Sequence, residues 1–236
     1  MAKKRSELSI DQLRPPKISI KSLGISEKQK SLVRLSLEEN NKIIFISGPA
    51  GSTKTFMAVY CALKKLKADD SLDLMYVRTI IESADKGLGF LPGDIHEKLN
   101  PYMAPLDDKL RELIPPNSGI VEDLMKKERV QAMPVNFLRG ASWQNKIVVA
   151  DEAQNFTFKE LTTLLTRLGD NSQLFICGDY MQSDINGKSG FKDMFDLFND
   201  EKSKERGIQC FSFGFEDIKR SEILSYIITK IEKRKL

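Results

Sequence analysis

Short, continuous apolar runs alternate along the chain with segments whose apolar residues recur at helical spacing. An unbroken apolar run of this kind predicts a strand buried on both faces, as in a parallel sheet. The predicted strands are residues 43–46, 72–77, 146–150, 174–177 and 209–213. Because helical segments separate these strands, the pattern predicts an α/β fold in which helices cover both faces of a parallel sheet.

The first predicted helix, residues 26–39, carries its own start signal. Ser26 is placed as the N-cap and Gln29 follows three residues later, which makes a capping box. Further helices are predicted at residues 55–66, 95–102, 120–127, 158–168, 190–198 and 222–233.

The same pattern predicts the domain boundaries. Residues 1–24 contain Pro15 and Pro16 and show little periodicity, so we expect a tail or an arm lying on the domain. Residues 25–236 form the domain, with an insertion at about 79–144 that is longer than a simple crossover needs. Insertions at the carboxyl edge of a sheet usually carry contacts with a substrate or a partner.

The composition limits the chemistry available to this domain. Lys and Arg number 37 against 33 Asp and Glu, a net charge of +4, which argues against a chain-wide cationic surface and leaves local basic patches open. The chain has one histidine, His96, and three scattered cysteines, Cys61, Cys177 and Cys210. This excludes a zinc cluster, a disulfide framework and a Ser-His-Asp relay with a choice of histidines. With no signal peptide and no apolar run of transmembrane length, we expect a cytoplasmic location and no membrane partner.

The strongest chemical signal is a glycine-rich loop between the first predicted strand and the helix after it. Its residues are Gly48, Pro49, Ala50, Gly51, Ser52, Thr53, Lys54 and Thr55. In this context the loop is predicted to be a P-loop, whose backbone amides and helix N-terminus hold phosphates. Lys54 would reach the β and γ phosphates of ATP, and the Thr55 hydroxyl would bind Mg²⁺. A glycine-rich turn before an ordinary helix is the alternative.

One position departs from the P-loop pattern. Thr53 stands where a glycine normally precedes the lysine. Glycine lets the backbone approach phosphate with no Cβ in the way, so a β-branched residue is expected to reshape or weaken the site.

Polar residues follow two other predicted strands. Asp151 and Glu152 come directly after residues 147–150, a Walker B arrangement in which Asp151 binds Mg²⁺ through its water shell and Glu152 activates an attacking water. Gln182, after residues 174–177, is the candidate for sensing the γ-phosphate. In isolation, the first motif could be a solvated turn and the second a Gly-Asp turn.

Several short segments together resemble PhoH-like proteins, over about residues 25–230. They are Gly-Pro-Ala-Gly and Lys-Thr within 48–55, Leu-Gly-Phe-Leu-Pro-Gly-Asp at 88–94, Asn-Pro-Tyr at 100–102, Phe-Leu-Arg-Gly at 137–140, Asp-Glu-Ala-Gln-Asn at 151–155, Leu-Thr-Arg-Leu-Gly at 165–169 and Gly-Asp-Tyr-Met-Gln-Ser-Asp at 178–184. The resemblance implies a RecA-like P-loop NTPase fold, similar in its core to superfamily 1 helicases. It also implies a cytoplasmic ATPase, which the family name links to phosphate starvation. Many PhoH-like proteins are encoded by bacteriophages, and this compact form is similar to those. A phage-encoded protein would act in the cytoplasm of the host.

The resemblance also implies roles for particular residues. Gln29 sits where helicase-like ATPases place an adenine-reading glutamine, as an alternative to its capping box. Arg220 matches the arginine of the family's Asp-x-x-Arg motif and is the preferred arginine finger, with Arg78 second. Arg139 and Arg167 match recurrent family arginines, for which a structural ion pair is the alternative.

Two departures from the family pattern accompany these arginines. Ser221 follows Arg220 where a histidine is usual, and Thr79 follows Arg78 where many relatives have a proline, so the φ restriction that proline imposes is absent from this loop.

The insertion carries aromatic residues and the one histidine. Phe90, Tyr102 and Trp143 are candidates for stacking bases of single-stranded nucleic acid, with core packing as the alternative. His96 is interpreted as a surface residue of a short helix.

The chain has room for one RecA-like domain, so either a neighbouring subunit supplies the arginine finger or turnover is slow. We therefore expect a homo-oligomer, a hexamer by analogy with the fold. The first functional hypothesis is a Mg²⁺-dependent ATPase coupled to single-stranded RNA or DNA. The alternative, which Thr53 supports, is a nucleotide-gated oligomeric module with little hydrolysis. Glu152 and Gln182 suit water activation and disfavour a small-molecule kinase.

Overall fold

The computed structural model describes residues 17–79, 95–135, 138, 142–180, 185 and 187–233. Their centre is a sheet of six parallel strands in the order β3-β2-β4-β5-β1-β6. The strands are β1 (Ile43–Ser47), β2 (Asp73–Arg78), β3 (Val130–Pro134), β4 (Lys146–Ala150), β5 (Gln173–Gly178) and β6 (Ile208–Ser212).

Helices cover both faces of this sheet. They are α1 (Glu27–Leu37), α2 (Lys54–Ala68), α3 (Ile95–Leu113), α4 (Ile120–Lys126), α5 (Phe158–Leu165), α6 (Phe191–Phe198), α7 (Glu201–Glu205) and α8 (Glu222–Lys233). Short 3₁₀ turns lie at Ala153–Asn155 and Phe215–Asp217. The α/β architecture expected from the hydrophobic pattern is confirmed.

Two hydrophobic cores lie on opposite faces of the sheet, because successive side chains of a strand point to opposite sides. Ile44 and Ile46 of β1 pack in the first core with α1 to α4. Phe45, between them, packs in the second core with α5 and α6. This explains why the central strands β1, β4 and β5 contain continuous apolar runs.

The capping box predicted at the start of α1 is confirmed. The Ser26 hydroxyl accepts from the backbone N–H of Gln29, and the Gln29 side chain accepts from the backbone N–H of Ser26. Two of the amides that a helix start leaves without partners are satisfied in this way.

All five predicted strands are present, and the described residues contain a sixth strand that was not predicted. β3 lies inside the predicted insertion and forms the sheet edge beside β2. Its five residues, Val-Gln-Ala-Met-Pro, alternate between buried and half-buried positions, as an edge strand does, and do not form a continuous apolar run. Pro134 closes the strand, a position where the missing N–H costs little.

The first insertion helix is also longer than predicted. α3 continues from residue 102 to Leu113 because Leu106, Leu110 and Leu113 lie at helical spacing and are fully buried in the first core. Pro105 lies within this helix, although proline usually interrupts one. The short α7 was not predicted; Asp200 caps its start by accepting from Ser203 N–H.

Residues 17–24 lie against the end of α3. Ile18 is buried in the first core, and the Lys21 backbone N–H donates to the Leu113 carbonyl at 2.8 Å. Within the described part of the chain, no helix is both long enough and apolar enough to cross a membrane.

The strand order decides where the functional side chains meet. Because all six strands are parallel, the loops after β1, β4 and β5 leave the same edge of the sheet, and β5 lies between β1 and β4. In open parallel sheets this carboxyl edge is where ligands bind.

Candidate nucleotide-binding site

The glycine-rich loop follows β1 and ends at the first turn of α2. Gly51 has a φ of +78°, a left-handed conformation that favours glycine. A Cβ added at Gly48 would lie 2.8 Å from Ser52 Oγ and 2.9 Å from Phe213 Cβ, so a side chain there is sterically excluded. Ser52 ties the loop together, since its hydroxyl donates to the Pro49 carbonyl at 2.7 Å.

Thr53 is the N-cap of α2 and adopts a left-handed conformation with φ 65° and ψ 17°. A side chain in this region costs about 1–2 kcal/mol. Its own side chain makes no capping hydrogen bond; its hydroxyl instead accepts from Gln29 Nε2 at 2.8 Å. Thr53 thus keeps the left-handed backbone conformation that a glycine would adopt at this position. Gln29, on α1, supplies the hydrogen-bond partner of its hydroxyl.

Lys54 lies across the loop that precedes it. Its ammonium donates to the carbonyl oxygens of Gly48 at 2.7 Å and Pro49 at 2.9 Å. A bound phosphate would offer this ammonium a charged acceptor, which makes a stronger hydrogen bond than a carbonyl does.

Thr55 and Asp151 join the P-loop to the end of β4. The Thr55 hydroxyl donates to one carboxylate oxygen of Asp151, and the buried hydroxyl of Tyr76, on β2, donates to the other. Burial and then the negative charge of Asp151 raise the pKa of Tyr76, so the phenol keeps its proton and stays a donor. Both oxygens of the carboxylate are thus oriented by the protein.

Glu152 is held by two neighbours at the same edge. It has a left-handed φ of 54°; its Oε2 accepts from Gln154 Nε2 at 2.5 Å, and its Oε1 lies 3.8 Å from Arg78 Nη2. Gln154 Oε1 in turn accepts from the Asp179 backbone N–H at the end of β5, at 3.0 Å. Gln154 thereby links the Glu152 carboxylate to the neighbouring strand, a role that the sequence analysis did not assign to it.

Arg220 lies beside the P-loop of its own chain. A Cβ built on Gly51 would approach its Cγ to 3.0 Å, and the backbone N–H of Lys219 donates to the Gly51 carbonyl at 3.0 Å. The positive charge of Arg220 is therefore brought to the loop within one subunit, whereas the other candidate finger, Arg78, lies at Glu152.

Most of these residues line one pocket of about 680 Å³. From the predicted site it is lined by Gln29, Ala50, Gly51, Thr53, Lys54, Thr55, Asp151, Glu152 and Arg220. The residues added by the structure are Leu23, Gly24, Ile25, Phe56, Asp108, Lys109, Glu112, Gln154, Cys177, Asp179 and Lys219. Gly48, Pro49 and Ser52 shape the loop without lining the pocket.

The insertion helix α3 contributes Asp108, Lys109 and Glu112 to this lining. No motif marks these three positions, because only the fold of α3 across the sheet edge brings them to the pocket. Cys177, from β5, also lines it; burial and then the charge of Asp151 raise the pKa of its thiol well above the ordinary value. The thiol is therefore protonated near neutral pH and does not act as a nucleophile.

Some predicted residues lie outside the description. Gln182, Arg139 and Phe90 are not among the described residues, and neither are the side chains of His96 and Tyr102 within α3.

Two further predicted residues lie in or beside the second core. Trp143 is buried there, and its backbone N–H donates to the Arg167 carbonyl at 2.9 Å. In this position Trp143 serves core packing, the alternative given for the aromatic residues.

A comparison with solved structures gives a partial likeness. A Pif1 protein of Bacteroides, solved bound to single-stranded DNA, aligns with 91% of this chain and 47% of its own chain, at 14% identity and a TM-score of 0.42.

Curated relatives are more similar in sequence. A PhoH-like protein of Synechocystis is 33% identical over 197 residues, and one of Bacillus subtilis is 32% identical over 217 residues. These alignments cover 83% and 92% of this chain but only 58% and 65% of the two relatives, so the chain spans about three-fifths of their length. The family model described as "PhoH-like protein" matches residues 21–232. The chain therefore belongs to the PhoH family.

Proposed function

We propose that the protein is a Mg²⁺-dependent ATPase that hydrolyses ATP in the pocket at the carboxyl edge of the sheet. The observation that carries the proposal is the contact between the Thr55 hydroxyl and the Asp151 carboxylate. It joins the two motifs that P-loop NTPases use for phosphate and Mg²⁺, although 96 residues separate them in sequence.

The side chains present fit Mg²⁺. Thr55 and Asp151 offer the hard oxygen donors that this ion prefers. Among the described residues there is no group of three or more His, Cys, Asp or Glu side chains that could hold a metal alone. A site shared with phosphate oxygens suits this arrangement, and the ion would neutralise phosphate charge there.

The chain's own residues divide the remaining work. The Lys54 ammonium holds the β and γ phosphates, and the loop amides bind the same oxygens. Glu152, whose side chain is 39% exposed, is accessible to water and accepts its proton, while Gln154 orients the carboxylate. Arg220 supplies positive charge to the phosphates from beside Gly51, and Gln182 senses the γ-phosphate.

We further propose that hydrolysis is coupled to single-stranded RNA or DNA in a homohexamer in the cytoplasm. The Asp-Glu-Ala-Gln string of the helicase-like ATPases supports the coupling, and α3 offers a helix beside the pocket that could transmit it. The described residues contain a single sheet, and the hexamer rests on the analogy with the fold. The free thiols of Cys61, Cys177 and Cys210 suit a reducing compartment.

The coupling is tested by measuring phosphate release from ATP with and without single-stranded RNA and DNA oligonucleotides at low salt. We expect oligonucleotides to raise the rate, and added salt to remove the stimulation because phosphate contacts are electrostatic. Equal rates with and without either polymer, together with no binding at low salt, would remove the nucleic-acid part and leave the ATPase.

The second candidate is a nucleotide-gated module that binds ATP or ADP and hardly turns over. It is favoured by the left-handed Thr53 at the position that P-loops give to glycine. This module would bind nucleotide tightly and release no phosphate above the background of a Glu152→Gln variant.

A further inference from the structure

The side chain of Gln29 is held at both of its polar ends. Its Oε1 accepts from the Ser26 backbone N–H at 2.9 Å, and its Nε2 donates to Thr53 Oγ1 at 2.8 Å. Only 5% of the surface of Gln29 is exposed to solvent. A capping box accounts for the first contact only; the second joins the start of α1 to the P-loop across 24 residues of sequence.

The hydrogen bond from Gln29 stabilises Thr53 in a backbone conformation that a glycine would adopt without strain. Thr53 is β-branched, it adopts a left-handed conformation, and it gains no capping hydrogen bond from its own side chain. Its carbonyl accepts from the Met57 N–H at 2.9 Å and so begins α2. The next two residues are Lys54 and Thr55, so the conformation of Thr53 sets where their side chains start.

We propose that Gln29 is a positioning residue for the P-loop, acting through the hydroxyl of Thr53. We call this hydrogen-bonded pair the Gln29–Thr53 clamp. The inference rests on the proposed function, because the loop that the clamp holds is the one assigned to phosphate binding. It assigns to Gln29 a task other than reading adenine: the clamp acts on the phosphate end of the nucleotide and is indifferent to the base.

The clamp depends on one hydroxyl, which allows a sharp set of variants. Thr53→Val keeps the shape and the branching but loses the hydroxyl, whereas Thr53→Ser keeps the hydroxyl. Gln29→Ala removes the donor but also half of the capping box. Ser26→Ala is the matched control, because it removes the other half of the box and leaves the Gln29 amide beside Thr53.

Affinity for fluorescent N-methylanthraniloyl derivatives of ATP and GTP is the measurement. We expect Thr53→Val and Gln29→Ala each to weaken both nucleotides about five- to tenfold, the range of one lost hydrogen bond. The double variant should bind no more weakly than either single variant, because both remove the same contact. Thr53→Ser, which keeps the hydroxyl, should bind both nucleotides more tightly than Thr53→Val does, and Ser26→Ala should change affinity much less than Gln29→Ala.

Three results would overturn the clamp. One is a double variant whose loss of nucleotide affinity equals the product of the losses in the two single variants. Another is equal loss of affinity in Ser26→Ala and Gln29→Ala, which would assign the effect to the helix cap. The third is loss of ATP affinity alone in Gln29→Ala, with Thr53→Val unchanged, which would assign adenine reading.

The same variants separate failure of the clamp from failure of the proposed function. Denaturant unfolding of the nucleotide-free protein measures the coupling between Gln29 and Thr53 without any ligand. If the parent chain binds neither nucleotide, the proposed function fails, and additive unfolding effects of the two substitutions would then reject the clamp as well.

Discussion

The hydroxyl of Tyr76, buried in β2, donates a hydrogen bond to the carboxylate of Asp151 at the end of the adjacent strand β4. The other oxygen of that carboxylate accepts from Thr55, so the phenol and the P-loop hydroxyl hold Asp151 from two sides. A donor that fixes a metal-binding or water-binding carboxylate in this manner tunes the site without touching the ligand.

Tyr76→Phe is therefore expected to weaken the response to Mg²⁺. Loss of an outer hydrogen-bond partner typically costs 10–100-fold in metal affinity or activity, so we predict a rise of about tenfold in the Mg²⁺ concentration that half-saturates ATP hydrolysis. Nucleotide binding in EDTA should change far less. Tyr60→Phe is the matched control, since Tyr60 lies on α2 with its ring beneath the Lys64 ammonium. An unaltered Mg²⁺ titration in Tyr76→Phe would show that the hydroxyl serves packing only.

Arg220 lies beside Gly51 of its own chain, and this arrangement predicts the outcome of mixing subunits. Arg220→Ala and Glu152→Gln should each abolish most hydrolysis. If each site takes both residues from one chain, a mixture of the two inactive proteins contains no complete site and should stay inactive. Recovery of activity on mixing and reannealing would show instead that a neighbouring subunit supplies the arginine.

A pair of glycines tests the backbone geometry of the fold. Gly207, just before β6, has a φ of +79°, and a Cβ there would lie 1.9 Å from the Asn40 carbonyl oxygen. Gly119, before α4, has a φ of +68° with no atom within 4 Å of the added Cβ. Gly119→Ala should lower the free energy of unfolding by about 1 kcal/mol, and Gly207→Ala by about 3 kcal/mol, because only the second adds a clash to the strain. Equal losses in urea melts would contradict the geometry around β6.

The thiols give a prediction for alkaline pH. Burial raises the pKa of Cys61 to about 11 and that of the half-buried Cys210 to about 12, while Cys177 is raised well above its ordinary value. At pH 8 all three should therefore react slowly with a thiol reagent such as dithionitrobenzoate, and quickly in guanidinium chloride. One rapidly reacting thiol in the native protein would contradict this burial.

The same shifts set the sign of the dependence of stability on pH. An unfolded cysteine loses its proton near its ordinary pKa of 9.0, whereas the folded thiols keep theirs to a higher pH. Above pH 9 the folded state thus binds more protons, and the free energy of unfolding should fall as the pH rises toward 11. Replacing Cys61 with alanine should make this fall shallower.

Local patterns predicted most of the fold. The strands β1, β4 and β5 contain the apolar runs 43–46, 147–150 and 174–177 because helices cover both faces of the sheet. The Ser26–Gln29 capping box lies within four consecutive residues. β3 was missed because an edge strand with a half-buried face lacks that signal. Residues 103–113 of α3 were also missed; they include Pro105, a residue type that usually interrupts a helix.

The site was predicted only as far as its motifs reach. Two sequence motifs identify Lys54, Thr55, Asp151 and Glu152. The structure brings these four residues to one pocket. The contact between Tyr76 and Asp151 joins residues 75 positions apart on neighbouring strands, so no local pattern announces it.

The same limit applies to Gln29 and Thr53. Each was identified as notable for a different reason, and only the packing of α1 against α2 brings the amide to the hydroxyl.

The most direct test of the central claim is a comparison of ATP binding and ATP hydrolysis between the parent chain and Glu152→Gln. If Glu152 activates water in this pocket, the variant should bind ATP as tightly as the parent chain and release phosphate at least about 100-fold more slowly. Lys54→Ala should lose binding itself, which separates the two roles. Phosphate release by Glu152→Gln at the rate of the parent chain would contradict the account.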